Sequence, residues 1–272
     1  MMANVTLNAI VSQKIEVSPG LIILRVVPDG WGLPDFKAGQ FTVLGLPGTA
    51  PRHELSDPEP DLKDPLKFIR RAYSVSSASV TKEYIEFYIT MVRSGALTPR
   101  IFALEPGNRI FLSPKFSGVF TLDRVDQDSN IILLGTGTGL APYMSMLRAD
   151  LPCNAQRKYI IVHGARHSWD LGYRSELNTI ANVCNNFTYI PAITRPDIEH
   201  INWGGASGYI QELWQAGIIQ EKSGLKPAPE NTHIFLCGNP SMIDSMVNTL
   251  ELEGFIEHSN KAPGQIHLER YW

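Results

Sequence analysis

Residues Ile131–Tyr143 read I-I-L-L-G-T-G-T-G-L-A-P-Y, an order that suits one kind of chemistry, the binding of a phosphate or pyrophosphate. The apolar run at the front predicts a buried strand. Gly135, Gly137 and Gly139, with Thr136 and Thr138 between them, predict the turn that ends it. Pro142 suits the first turn of a following helix because it has no N–H to place. A strand that passes through glycines into a helix N-terminus uncovers backbone N–H groups, and the helix dipole adds partial positive charge. The spacing G-x-G-x-G is neither the common dinucleotide fingerprint nor, lacking a following Lys-Ser/Thr, a P-loop. Taken alone, it reads equally well as a tight turn.

Further candidates lie on either side. Arg71-Ala72-Tyr73-Ser74 sits in F-I-R-R-A-Y-S-V-S-S-A-S. An arginine and an aromatic two apart on a strand share a face, which offers a guanidinium fork for a pyrophosphate and a flat ring for stacking. The alternative is a half-exposed strand with a solvated arginine. In R-S-G-A-L-T-P-R-I-F-A-L, Gly95 supplies a turn, Thr98 is placed to cap a helix and Pro99 to open it. Leu236–Pro240 reads L-C-G-N-P, where Cys237 ends a buried strand, Gly238 lets a ligand approach the backbone and Pro240 starts a helix. A cysteine there is otherwise an inert small hydrophobe. Arg166 follows Y-I-I-V-H-G-A, and Thr194-Arg195 follows F-T-Y-I-P-A-I. Each arginine alone is a solvated loop charge; together they make a clamp for the 2′-phosphate of NADP, where a carboxylate would select the ribose hydroxyl of NAD. Asp170 and Gly208-Tyr209 leave NADH open as an alternative.

The elements that must position these groups divide near residue 125. Before it come short strand-like runs separated by Gly/Pro turns: V-S-Q-K-I-E-V, L-I-I-L-R-V-V, G-Q-F-T-V-L-G-L, the R-A-Y-S strand, Y-I-E-F-Y-I-T-M-V and R-I-F-L-S. They predict an antiparallel barrel or sandwich. After it, I-I-L-L, Y-I-I-V-H, F-T-Y-I-P-A-I, H-I-F-L-C and Q-I-H-L alternate with helical stretches near Pro142–Ala149, Ser175–Val183, Tyr209–Ala216 and Pro240–Leu252. That alternation predicts parallel βαβ units, whose ligands bind beyond the carboxyl ends of the strands. Val125–Asn130 is the expected linker, and no internal repeat is evident.

Composition sets limits. The chain has 272 residues, enough for two cores, and its 43% hydrophobic content is that of an ordinary globular protein. With 24 basic against 27 acidic residues, neither nucleic acid nor an anionic membrane is expected as a partner. No apolar run approaches membrane-spanning length. The opening M-M-A-N-V-T-L-N-A-I lacks a basic stretch followed by an apolar one, so no secretory signal is expected. Cys153, Cys184 and Cys237 suit a reducing cytoplasm and form no spaced metal or iron–sulfur set. Electron chemistry would then need an organic cofactor.

R-A-Y-S, G-T-G-T-G-L-A-P, L-C-G-N-P and the terminal pair Tyr271-Trp272, in this order, resemble the motifs of ferredoxin/flavodoxin–NADP⁺ reductases, and the ending is similar to the bacterial branch. The resemblance runs over nearly the whole chain. It implies an antiparallel β-barrel FAD domain over residues 1–125 and an α/β parallel-sheet NADP(H)-binding domain over 126–272. For FAD it implies Arg71 on the pyrophosphate, Tyr73 on the isoalloxazine and Ser74 near N5. Ala72 and Tyr88 complete that stretch, with Val75 and Phe87 as supporting contacts. Leu97 and Thr98 cover the pyrophosphate, Thr136 adds a contact, Tyr271 stacks on the other flavin face, and Trp272 reaches the adenine or another flavin edge. For NADP(H) it implies Gly135, Thr136, Gly137, Thr138, Arg166, Arg195, Tyr209, Cys237, Gly238, Asn239 and Pro240. Ser74, Cys237, Glu269 and Tyr271 would stand at the reacting atoms, with Cys237 beside the nicotinamide and Glu269 helping proton and hydride exchange.

The implied activity is electron transfer between NADP(H) and ferredoxin or flavodoxin by a monomer of the cytoplasm that does not insert into a membrane. Two other readings stay open: an NADH-dependent reductase component of an oxygenase system, and a non-catalytic flavin-binding subunit. Both kinds commonly carry a cysteine-ligated cluster or a cysteine-rich tail, which this chain lacks. Residues 49–69, T-A-P-R-H-E-L-S-D-P-E-P-D-L-K-D-P-L-K-F-I, are expected to form an exposed surface insertion, and Arg70, Arg93 and Arg100 a basic rim for an acidic partner.

Overall fold

The computed structural model describes residues 6–59, 67–153, 155–259 and 261–270. They form two compact units, one of Met1–Thr121 with Ala141–Asp150, the other of Leu122–Leu140 with Leu151–Trp272.

The first unit holds β1 (Ala9–Ser18), β2 (Leu21–Pro28), β3 (Phe41–Pro47), β4 (Phe68–Ser74), β5 (Ile85–Thr90), α1 (Thr98–Phe102) and β6 (Arg109–Leu112). The strands pair in the order β4-β3-β6-β1-β2-β5, every pair antiparallel. The two ends of that order meet through a bridge between Val75 and Phe87 and a Ser76 N–H donating to the Glu86 carbonyl (2.8 Å), so the sheet closes into a barrel. Val11, Leu24, Leu44, Phe87, Ile110 and Leu112 fill its core, as the alternation of apolar and polar residues along the strands requires. The six runs expected to be strands are these six.

α2 (Ala141–Ala149) also belongs to this unit. Its Arg148 Nη1 donates to Glu86 Oε1 (2.6 Å) and to the Ser76 carbonyl (2.8 Å), and Arg25 Nε donates to the other Glu86 oxygen (2.7 Å). Glu86 is only 1% exposed, and a carboxylate so deeply buried is stable only when paired in this way.

The second unit holds β7 (Asn130–Thr136), β8 (Tyr159–Ala165), α3 (Arg174–Val183), β9 (Phe187–Ile193), β10 (Ala206–Ser207), α4 (Ile210–Gln215), α5 (Ile218–Ser223), β11 (Thr232–Cys237), α6 (Pro240–Leu252) and β12 (Ile266–Glu269). All strands run parallel in the order β10-β9-β8-β7-β11-β12. Ile131–Leu134 and Ile160–Val162 are fully buried, as strands covered on both faces demand. Met242, Ile243, Met246, Val247 and Leu250 bring one stripe of α6 onto the sheet core. Two elements escaped the sequence: the two-residue β10, and α5, which restarts the helix after Gly217 turns left-handed (φ +72°).

The reading of the cysteines needs correction. Cys153 and Cys184 form a disulfide, with Cα atoms 4.6 Å apart, between the segment after α2 and the C-cap of α3. Cys237 is free and buried. Across 31 residues such a link contributes about 4 kcal/mol by restricting the unfolded chain. A thiol titration of the denatured, unreduced protein should therefore count one cysteine and rise to three after reduction. Three thiols before reduction would contradict the pairing.

Candidate functional site

In the parallel sheet, β7, β8, β9 and β10 step to one side while β11 and β12 lie on the other. The order therefore reverses between β7 and β11, and the carboxyl ends of strands at such a switch point open a crevice for ligands. One register row crosses the sheet there: Pro191 beside His163, His163 beside Gly135, Gly135 beside Cys237, and Cys237 beside Glu269. The cysteine and the carboxylate singled out in the sequence are thus neighbours on adjacent strands.

The two turns that follow β7 and β11 touch through their backbones. A methyl group on Gly139 would overlap the Cys237 carbonyl, and one on Gly238, which sits at φ +126°, would overlap Thr136. The Thr136 hydroxyl accepts from the Asn239 N–H (2.7 Å), and the Asn239 side chain caps α6 by accepting from Ser241 N (2.9 Å). Pro240 then opens α6. Gly137 differs from its neighbours: its φ of +54° needs glycine, yet no atom lies within 4 Å of where a Cβ would stand. The turn over Gly137–Leu140 therefore faces open space on one side and is closed by the β11 turn on the other. This is a cradle of backbone groups, the form expected of a phosphate site.

Arg166 and Arg195 come together. The Arg195 N–H donates to the Arg166 carbonyl (3.0 Å), one step beyond a Thr194 N–H donating to the Ala165 carbonyl (3.1 Å), and both arginine side chains are exposed. Asp170 is drawn off to His167, whose Nδ1 lies 3.1 Å from its carboxylate. Tyr209, 57% exposed, is the N-cap of α4, with the Glu212 carboxylate accepting from its N–H (2.8 Å). All three positions follow the carboxyl ends of β8, β9 and β10.

Sequence reasoning missed His163, which it took only as part of a strand. The residue is fully buried in the row beside Gly135, with the Tyr189 hydroxyl 3.4 Å from Nδ1. Burial pushes its imidazole down to about 4, against a smaller opposing effect of a hydrogen bond to the Gly137 backbone, so the ring beneath the glycine turn is neutral at neutral pH.

In the first unit, Arg71 and Tyr73 project to the same side of β4 as the core residue Ile69, as the alternation requires. Arg71 is exposed and its Nη1 donates to the Arg70 carbonyl (2.8 Å). Tyr73 is partly buried edge-on to Phe87, with ring centroids 6.3 Å apart, and burial raises its phenol pKa. Ser74, Val75 and Tyr88 are buried. A cleft of about 270 Å³ lined by Val43, Arg70, Arg71, Ala72, Phe111 and Ser113 opens beside this stretch. A larger concavity, about 410 Å³, lies along α5 and holds none of the candidate residues.

Thr98 does not cap α1. The N-cap is Leu97, and the Thr98 hydroxyl instead bonds the Val92 N–H (3.0 Å) and carbonyl (3.2 Å). The N–H groups of Ala96, Leu97 and Thr98 find no acceptor among the described residues. The basic rim is also corrected. Arg100 is 2% exposed and paired to Glu59, so it is no part of an exposed rim, whereas Arg93 is 65% exposed beside Asp57. Residues 49–59 lie at the surface, exposed at Thr49, Pro51, Glu54, Leu55 and Pro58 and partly buried at Arg52, His53, Ser56, Asp57 and Glu59. Tyr271 and Trp272 lie outside the described residues.

A closed antiparallel barrel and a parallel sheet with a glycine-lined switch point define a protein built to hold a nucleotide. Residues 133–248 match the family model of the oxidoreductase NAD-binding domain. The flavodoxin/ferredoxin–NADP reductase of Buchnera aphidicola subsp. Baizongia pistaciae is 31% identical over 87% of this chain and 88% of its own. That of Escherichia coli K12 is 29% identical with the same coverage. The crystal structure of a ferredoxin NADP⁺ reductase from Neisseria gonorrhoeae with bound FAD and NADP aligns at a TM-score of 0.80 and 27% identity, over 97% of this chain and 98% of that one. The chain belongs to the flavodoxin/ferredoxin–NADP reductase family.

The two glycines of the turn should respond differently to alanine. Gly137→Ala meets only the left-handed backbone, a cost of roughly 1–2 kcal/mol, whereas Gly139→Ala must also push apart two backbones and should cost clearly more. Urea melts of both variants measure this, and equal losses would contradict the close approach of the two turns.

Proposed function

We propose that this chain is an FAD-dependent oxidoreductase that moves electrons between NADP(H) and ferredoxin or flavodoxin, and that residues 1–125 serve FAD and 126–272 serve NADP(H). The observation that carries the reading is the register row ending in Gly135, Cys237 and Glu269 beside an open glycine cradle, in a chain of this family. When bound, the flavin exchanges hydride with the nicotinamide at N5 and passes electrons singly to the protein partner.

The residues present fit both groups. On the flavin side, Arg71 offers a planar guanidinium to the pyrophosphate, and the N–H groups of Ala96, Leu97 and Thr98, unpaired among the described residues, add donors. Tyr73 and Ala72 give an apolar seat, with the Ser74 hydroxyl and Tyr88 behind it. Thr136, Tyr271 and Trp272 complete this side of the proposal. On the nucleotide side, backbone groups of Gly135–Thr138 take the pyrophosphate, and Arg166 and Arg195 take the 2′-phosphate, with Tyr209 beside them. The glycine at 238 keeps the β11 turn free of a side chain, while Asn239 and Pro240 fix the start of α6. Cys237, small and buried, packs against the reacting ring, and Glu269 next to it is the group placed to hold or release a proton.

Family membership sets this reading above a non-catalytic subunit, and paired arginines favour NADPH over the NADH of an oxygenase reductase. Among the described residues, no helix is long and apolar enough to cross a membrane and no side-chain cluster is suited to a metal. A monomeric state and a cytoplasmic location belong to the same proposal, and the Cys153–Cys184 disulfide speaks against the second.

The variant R166A/R195A tests the clamp. Losing charge-assisted bonds to a phosphate should weaken NADPH binding about 10- to 100-fold, with NADH binding little changed. Equal loss for both nucleotides, or for neither, would remove the two arginines from the proposal.

A further inference from the structure

The β3–β4 connection leaves the barrel after Pro47 and returns at Phe68, with the Gly48 N–H donating to the Lys67 carbonyl at its base (2.9 Å). Between those points, residues 52–59 are tied to the segment 92–102. The His53 N–H donates to the Pro99 carbonyl (3.0 Å) and the Asp57 N–H to the Arg93 carbonyl (3.1 Å). The Arg52 guanidinium donates to the carbonyls of Gly95 (3.0 Å), Asp57 (3.0 Å) and Arg93 (3.2 Å). At the centre, Arg100 reaches out of α1 to the Glu59 carboxylate as a two-pronged pair (2.9 and 2.6 Å) and also to the carbonyls of Ala96 (2.6 Å) and Gly48 (2.5 Å). Arg52 approaches the same carboxylate at 3.2 Å. The Arg100 guanidinium thus ties α1 to the base of the insertion and to the turn at 95–97, and the Glu59 carboxylate holds that guanidinium in place.

We propose that residues 49–59 form a clasp over the 92–102 segment that sets how tightly FAD is retained, with Glu59 as its positioning residue. This rests on the flavin reading above, which puts Ala96–Thr98 against the pyrophosphate. Leu97 anchors the turn in the barrel core and the Gly95 N–H donates to the Val92 carbonyl (2.8 Å), but neither engages the donors themselves. Its three N–H groups are unpaired within the described residues, Thr98 holds it only to Val92, and Lys14 secures the far end of α1 by donating to the carbonyls of Phe102 (3.2 Å) and Leu104 (2.7 Å). Without the clasp, the donors would sample many directions, and binding would have to order them at that moment. With it they are ordered beforehand. Arg100 supplies the driving force, because a buried guanidinium deprived of its carboxylate is strongly unfavourable. The same guanidinium holds the Glu59 carboxyl below the usual carboxylate range, so the pair is charged at neutral pH. The outer Arg93–Asp57 contact, at 3.2 Å and largely in water, is a weaker fastening.

The test uses the full chain loaded with FAD, with release followed by flavin fluorescence and the melting of the apo protein measured in parallel. Glu59→Gln should lower apo melting, because Arg100 loses its carboxylate, and should speed FAD release about tenfold, more than that fall in stability accounts for. Glu59→Asp should restore most of the retention, and Asp57→Asn should speed release by a smaller factor. Unchanged release in Glu59→Gln overturns the clasp while leaving the flavin reading intact, whereas a wild-type chain that takes up no FAD overturns the flavin reading itself. An equal fall in apo stability and retention, with Asp57→Asn unchanged, would make Glu59 merely structural and overturn the proposal. Should Glu59→Gln fail to fold, Asp57→Asn decides: faster release supports the clasp and unchanged release overturns it.

Discussion

The backbone contact between the turns after β7 and β11 is the constraint on which the nucleotide side depends. Gly139 lies against the Cys237 carbonyl and Gly238 against Thr136, so neither position has room for a side chain. Parallel register then brings Gly135, Cys237 and Glu269 into one line. The hydrogen bond from Asn239 to the Thr136 hydroxyl joins the two turns where their backbones meet. Gly137, two residues before Gly139, instead looks into open space. Close packing on one side and emptiness on the other are both consequences of glycine at alternate positions.

The first unit relies on a different device, the buried ion pair. Glu86 gathers Arg25 and Arg148 and so fixes α2 beside β5, while Arg100 gathers Glu59 and fixes the insertion beside α1. Each carboxylate has at least two hydrogen bonds from guanidinium groups, the condition under which a buried charge is tolerated. Their value is geometric more than energetic. Breaking either pair leaves a charge with nowhere to go, so each holds its neighbours in one arrangement.

Much of this was legible in the sequence, for reasons that can be named. Ile131–Leu134 is an unbroken apolar run that only a doubly covered strand needs, and the glycines after it predict a turn of backbone groups. Short β-rich runs between Gly/Pro turns in the first half marked all six barrel strands. The family resemblance, carried by R-A-Y-S, G-T-G-T-G and L-C-G-N-P, agrees with the relatives found. What stayed hidden are pairings between distant residues. Arg100 reads as a surface charge until Glu59, 41 residues away, is seen beside it. Cys153 and Cys184 read as separate thiols until the end of α3 is placed next to the preceding loop. Thr98 looks like a cap because its neighbours have capping spacing, but the Val92 backbone claims its hydroxyl. His163 lies inside a strand that periodicity alone describes as core.

Anaerobic reduction of the FAD-loaded chain, watched in the visible spectrum with NADPH and with NADH in separate runs, tests the central claim most directly. Rapid flavin bleaching that strongly prefers NADPH, followed by reoxidation on adding ferredoxin or flavodoxin, is the expected result. A protein that binds no flavin, or a bound flavin that neither nucleotide bleaches, would contradict the account.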